Sequence, residues 1–177
     1  MAKRSKPPPT LHILHDDREK LILPLDRQAE VASITRRRLQ TGDYTTAALY
    51  DGKYCVVERK SLIDWGKSAS AKNFKAEIER SREFKEFHLV IAATLDQVIN
   101  YPWGLPLPKS VKSKIRINGA YLLSRMISLT AENPHLSIWL ADTETNAAKL
   151  VVAILKQAEA RYLTPQPPAY NPEKESA

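Results

Sequence analysis

Apolar positions in this chain come in short blocks, and their spacing switches between steps of two and steps of three to four. The run LHILH at 11–15 has the make-up of a strand and delivers Asp16, Asp17, Arg18 and Glu19 at its tip. SITRRRL at 33–39 is a second strand candidate, followed by Gly42, Asp43 and Tyr44. TTAALY, Asp51-Gly52 and KYCVVERK then read as a β-hairpin, because a DG pair between β-prone runs suits a two-residue turn. Both faces of that hairpin are apolar, with Ala47, Leu49 and Val56 on one and Ala48, Tyr50 and Val57 on the other. A sheet apolar on both faces must be covered on both, which predicts helices on either side.

The covering helices are legible in the remaining blocks. Ser61 is placed to cap a helix through LIDWGKS, and NFKAEIERSREFKEF from Asn73 has the period of a second. HLVIAA at 88–93 reads as a buried strand, LDQVIN as a short helix, and YPWGLPLPKS as a loop whose prolines forbid regular structure. Val111, Ile115, Gly119, Leu122, Met126 and Leu129 recur in steps of four and three, which predicts one amphipathic helix. HLSIWLA at 135–141 is the last strand. Asp142 and Thr143 then cap a final helix with Leu150, Val151, Ile154 and Leu155 inward. Strands alternate with helices after an early hairpin, so the fold class is α/β: a mixed β-sheet flanked by helices on both faces, in a single domain over 11–163. Seven of the 12 prolines fall at 7–9 and in 164–177, so 1–10, with its basic KRSK, and 164–177 are expected to be disordered tails.

Charge narrows the picture. Lys plus Arg number 27 against 20 acids, a net charge of +7, the balance of a protein that meets phosphate backbones. No apolar run is long enough to cross a membrane, and MAKRSKPPPT lacks the apolar segment of a secretory signal. The single Cys55 excludes an internal disulfide and a cysteine-based zinc site. A reducing compartment follows: the cytoplasm for a bacterial or phage protein, the nucleus for a eukaryotic one.

Candidate chemistry gathers at the hairpin's base. If Asp51-Gly52 is a two-residue turn, Tyr50 pairs with Lys53, Thr45 faces Glu58, and Asp43 faces Lys60. Opposed residues share a face, as do residues two apart on a strand, so Asp43, Glu58 and Lys60 project together while Arg59 points the other way. Neighbouring carboxylates repel unless a proton or cation sits between them. Oxygen ligands of that kind suit a hard divalent cation, Mg²⁺ or Mn²⁺, and an adjacent Lys60 could orient or deprotonate a water or stabilise charge on a phosphate oxygen. Acid, spacer, Glu-x-Lys on adjacent strands is a pattern suited to metal-dependent phosphodiester hydrolysis.

With those residues in view, the chain resembles the nuclease domain of the XPF-type structure-specific endonucleases, a branch of the PD-(D/E)xK restriction-endonuclease-like superfamily. Gly42-Asp43 and Glu58-Arg59-Lys60-Ser61-Leu62-Ile63-Asp64 match the family's G-D and E-R-K-x-x-x-D, and Asp16-Asp17-Arg18-Glu19 its D-x-R-E. NFKAEIER, HLVIAA and NGAYLLSR resemble the later blocks in order, over roughly 11–162. The resemblance implies a restriction-endonuclease-like fold and metal ligation by Asp43 and Glu58, aided by the Lys60 backbone. It makes Asp16 a further acid of the metal site, Lys60 the catalytic lysine, and Arg59 and Asp64 motif residues, Asp64 supporting the site or a second metal. No catalytic position is replaced, which sets the chain apart from the family's inactive partner subunits. The implied substrate is branched or flapped DNA. Many relatives add a tandem helix-hairpin-helix domain or a helicase, for which this chain has no room; a homodimer through the nuclease domain, or a partner protein supplying DNA binding, then remains open.

Other readings stand beside these. Asp64 is also at capping-box spacing from Ser61. Arg18, Arg36 and Arg38 are candidate DNA contacts, though an arginine run also guards a sheet edge. Trp103 in the proline-rich loop is a candidate for stacking on a base, whereas Trp65 reads as core. His15, His88 and His135 lack metal-ligand spacing, and Cys55 reads as a buried strand residue. A non-catalytic DNA-binding or recruitment module of the same fold, or a nuclease without structure preference, including one acting on RNA, are the competing functions.

Overall fold

The strand that carries Glu58, Arg59 and Lys60 organises the molecule. In the computed structural model, which describes residues 10–164, it is β4 (Cys55–Ser61), paired in parallel with β5 (Glu86–Ala92). The sheet has six strands in the order β2-β1-β3-β4-β5-β6, with β1 at Leu11–Asp16, β2 at Val31–Arg37, β3 at Tyr44–Thr46 and β6 at Leu136–Ala141. Pairing of β3 with β1 and β4 is antiparallel and the other pairings are parallel, so the sheet is mixed.

Alternation along β4 and β5 sends side chains into two cores. Val56, Phe87, Leu89 and Ile91 pack beneath α2 (Leu62–Ser68), α3 (Lys72–Ser81), α4 (Leu95–Ile99) and α6 (Gly119–Glu132). Cys55, Val57 and Val90 face the other way, against α1 (Ala47–Asp51) and α7 (Glu144–Tyr162) through Leu49, Val151 and Leu155. Helices therefore cover both faces of one sheet, as the two-sided apolar pattern predicts. No helix among the described residues is long and apolar enough to cross a membrane. The two expected tails, apart from Thr10 and Thr164, lie outside the described residues.

The structure corrects the chain path in three places. First, TTAALY is not a strand of a tight hairpin. Thr46 enters α1, Ala-Ala-Leu being good helix formers, Gly52 follows the helix at φ −79°, and Lys53 takes the left-handed turn at φ 54°. Tyr44 consequently pairs with Val57 instead of Lys53 with Tyr50 and Thr45 with Glu58. The true register differs from the expected one by two residues, and a shift of two preserves which side chains share a face. Second, the expected helix from Val111 is broken into α5 (Lys109–Lys112) and α6, because Asn118 caps a fresh start by accepting the Tyr121 N–H (2.9 Å). Gly119 begins α6 where a Cβ would stand 1.9 Å from the Ile99 carbonyl oxygen, so the chain must cross α4 there with no side chain. Third, the helix over NFKAEIER stops at Ser81, and β5 takes over from Glu86, two residues before the expected strand.

Candidate active site

Gly42 sets the approach to the site. It adopts φ 76°, and a Cβ on it would lie 2.9 Å from Val56 Cβ, so only glycine carries the chain from the 39–41 segment into β3 so close to β4. Asp43 follows directly. Its N–H donates to the Val57 carbonyl (2.8 Å), and its Oδ2 accepts the Arg59 N–H (2.8 Å), so the carboxylate is fixed beside β4 at the level of Glu58.

Glu58 and Lys60 occupy the same face of β4, and Arg59 the opposite one. Lys60 Nζ donates to Glu58 Oε1 at 2.5 Å and reaches Glu77 Oε2 of α3 at 3.4 Å, while its ammonium rides over the Phe74 ring at 5.3 Å. Arg59 passes to the other side of the sheet, where its buried guanidinium pairs with Glu144 in the first turn of α7 and its Nε is left without a partner. The face assignments of the strand reading are thus those of the structure. The cleft that results has a volume of about 310 Å³ and is lined by Asp16, Arg18, Glu19, Asp43, Glu58, Glu77 and Arg80, together with Gln40 to Gly42.

Electrostatics follow from that crowding. Burial pushes Glu58 well above its ordinary value, the neighbouring Asp43 adds to it, and Lys60 only partly offsets both. Burial also raises Asp43 to about 7, against the pull of the Arg59 N–H. Lys60 behaves in the opposite sense. Burial works to strip its proton, but Glu58 and Glu77 outweigh that and raise its pKa, so it is an ammonium at neutral pH. Paired carboxylates that resist ionising side by side are the electrostatic signature of a place for added positive charge. The oxygen-only donor set, with no thiolate or imidazole, fits a hard divalent cation.

Asp16 lines the same cleft, with its carboxylate taken up by the protein. Its side chain is buried, Oδ1 accepts the Arg18 N–H and Nε (both 2.8 Å), and Oδ2 accepts Arg18 Nη2 (2.9 Å) and the Leu39 N–H (2.9 Å). Burial opposes the carboxylate, yet these bonds prevail and hold it below its ordinary value. Both oxygens are engaged by the protein, so in this structure Asp16 braces the 39–43 segment and offers no free oxygen. Arg18, one of the candidate DNA contacts, takes part in the same brace and also donates to the Leu39 carbonyl.

The remaining candidates lie apart from the cleft. Asp64 receives the Ser61 hydroxyl (2.6 Å) and gives its N–H back to it (3.1 Å), capping α2 at an exposed position. Arg36 and Arg38 both donate to Asp17, to its carbonyl and its carboxylate, at the exposed edge of β2. Trp103 is 57% exposed in the proline-rich loop before α5, while Trp65 is fully buried. Glu77 is the site residue that sequence reasoning missed. It sits between Phe74, Ile78 and Ser81 on the inward stripe of α3, and a lone acid on such a stripe was the available signal.

A second donor group is largely engaged within the protein. Cys55, Glu86 and His88 present ligand atoms within 4.8 Å of one another. Glu86 Oε1 is bonded by Arg161 and the Tyr162 hydroxyl, and His88 Nδ1 accepts the Trp139 indole N–H (3.0 Å), which leaves the imidazole proton on Nε2 facing Glu86. Burial pushes the Cys55 thiol up to about 12. This is a saturated polar knot beneath α7.

Comparison with known proteins bears on these assignments. The ERCC4 domain family matches residues 15–154. The fold is similar to XPF from Aeropyrum pernix in complex with DNA, with TM-score 0.61 and 16% identity over 87% of this chain and 68% of that one. It is likewise similar to a second structure of XPF from Aeropyrum pernix, with TM-score 0.59 and 15% identity over 82% of this chain and 66% of that one. The chain therefore spans about two thirds of the length of those proteins, and the mixed sheet is that of the restriction-endonuclease-like XPF nuclease fold. No curated protein matches in sequence.

Proposed function

The chain belongs to the ERCC4 domain family, and on that premise we propose that it is a divalent-metal-dependent DNA endonuclease. The observation that carries this reading is the convergence of Asp43, Glu58 and Lys60 on one face of the sheet, where the two acids line a cleft that Asp16, Glu19 and Glu77 also line. Asp43 and Glu58, with the Lys60 backbone carbonyl, would hold Mg²⁺ or Mn²⁺, which when bound supplies Lewis acidity toward a phosphate oxygen. The Arg59 N–H keeps the Asp43 carboxylate aimed into the cleft. Lys60, held protonated by Glu58 and Glu77, acts as a hydrogen-bond donor and fixed positive charge for a phosphate oxygen as negative charge grows on it. Asp16 and Arg18 serve by keeping Gly42 and Asp43 in place.

The substrate class we infer is branched or flapped DNA, in keeping with the structure-specific endonucleases that the motifs resemble. A homodimer through this domain, or a partner protein that supplies further DNA binding, would provide the branch selectivity. The test is cleavage of labelled flap, fork, nicked, duplex and single-stranded DNA, and of matching RNA, with Mn²⁺. The reading expects cutting of the branched DNAs, reduced by a factor of at least about 10² in Asp43→Ala or Glu58→Ala, with DNA binding retained. Undiminished cutting by both variants contradicts the site; binding without any cutting makes the chain a recruitment module; equal cutting of every substrate removes structure preference.

A further inference from the structure

On the far side of α3 from the acidic cleft lies a second concavity, of about 450 Å³, formed where the turn between α2 and α3 meets α6. Its charged lining is Lys72, Lys75 and Arg125, its hydroxyls include Ser124 and Ser128, and no carboxylate lines it. Arg125 Nε donates to the Ala69 carbonyl (3.2 Å), which ties α6 to the turn at the wall of the cleft. Among the described residues, none of the three cations is paired with an acid. α3 also starts at this cleft without a side-chain cap and without an acid in its first turn. Three like charges gathered in one concavity repel unless an anion joins them, in contrast to Arg37 and Arg38 at the end of β2, which pair with Asp51 and Asp17.

We propose that this cleft is a phosphate-binding seat for the DNA strand, separate from the place of cleavage. The inference rests on the reading of the chain as a DNA endonuclease and adds how the strand is held. α3 is the wall between the two clefts. Lys72 and Lys75 face one, Glu77 and Arg80 the other, and Lys72 precedes Glu77 by about 7.5 Å of helix rise. Phe74, buried between them, carries the Lys60 ammonium over its ring, so a shift of α3 moves both sites together. The basic cleft thereby anchors a backbone phosphate a short step from the acids. An acidic catalytic cleft repels the same polyanion that it must process, and a neighbouring basic seat offsets that repulsion.

The experiment is fluorescence anisotropy of the full chain on a labelled flap, a duplex and a single strand, in EDTA, across a salt series. Lys72→Gln/Lys75→Gln is compared with Lys149→Gln/Lys156→Gln on α7, which removes the same charge from the opposite side of the sheet; both positions of the test pair are exposed, and melting curves check that both variants fold. The expected result is several-fold weaker binding for the first pair and a log-log salt slope shallower by about 0.9 for each DNA phosphate that is no longer neutralised, with the α7 pair close to wild type. Equal weakening in both pairs, or none in the first, overturns the cleft while leaving the endonuclease reading intact. Failure of the wild-type chain to bind any of the DNAs overturns both.

Discussion

Asp16 shows how fully the protein's own donors can take up one buried carboxylate. Four N–H donors fill its carboxylate; the one from Leu39 ties it directly to the segment that turns into Asp43, and Arg18 Nη2 bridges it to the Leu39 carbonyl. Replacing it with asparagine keeps the shape but sets an NH₂ group against donors, leaving buried N–H groups unanswered. We predict that Asp16→Asn costs about 2–4 kcal/mol in urea unfolding while Mn²⁺ affinity changes only a few-fold. Unchanged stability with Mn²⁺ uptake abolished would instead make Asp16 a ligand. The same scale shows what sequence could disclose. Asp43, Glu58 and Lys60 were legible because strand parity alone puts them together. The saturation of Asp16 was not, because it depends on Leu39, twenty-three positions away. Glu77 was hidden for the same reason, its partner Lys60 being seventeen positions distant.

At the scale of elements, β4 joins the two cores, and Arg59 is the rivet. Its side chain is 5% exposed and meets Glu144 where α7 begins, so the strand that presents Glu58 and Lys60 to one face is fastened to the helix on the other. Glu144 is half exposed, which limits what the pair contributes, but its removal strands a buried guanidinium. Glu144→Ala is therefore expected to cost about 1–2 kcal/mol in thermal or urea unfolding, and Arg59→Met, which removes the charge and keeps much of the volume, to cost less. The reverse ranking would mean that Arg59 contributes mainly by packing. Element boundaries were the least legible part of the sequence. Ala47 to Tyr50 suit a strand by alternation and a helix by propensity, and burial of Leu49 and Tyr50 on α1 decides for the helix. The face assignments survived that error because the register moved by an even number of residues.

The whole molecule is a charge-divided body. The chain carries a net charge of +7, yet one cleft is dominated by carboxylates, and α3 separates that cleft from a basic one. Layering on both faces was legible from the two-sided apolar strands, and the family from its motifs; the basic cleft was not, since it assembles Lys72 and Lys75 with Arg125 from another helix. The central claim is that Asp43 and Glu58 are held close together to receive a divalent cation. Titration calorimetry of the metal-free chain with MnCl₂ tests it most directly. The account predicts saturable Mn²⁺ uptake by the wild-type chain that disappears in both Asp43→Asn and Glu58→Gln while each variant stays folded by circular dichroism; no uptake by the wild type, or undiminished uptake by both variants, would contradict it.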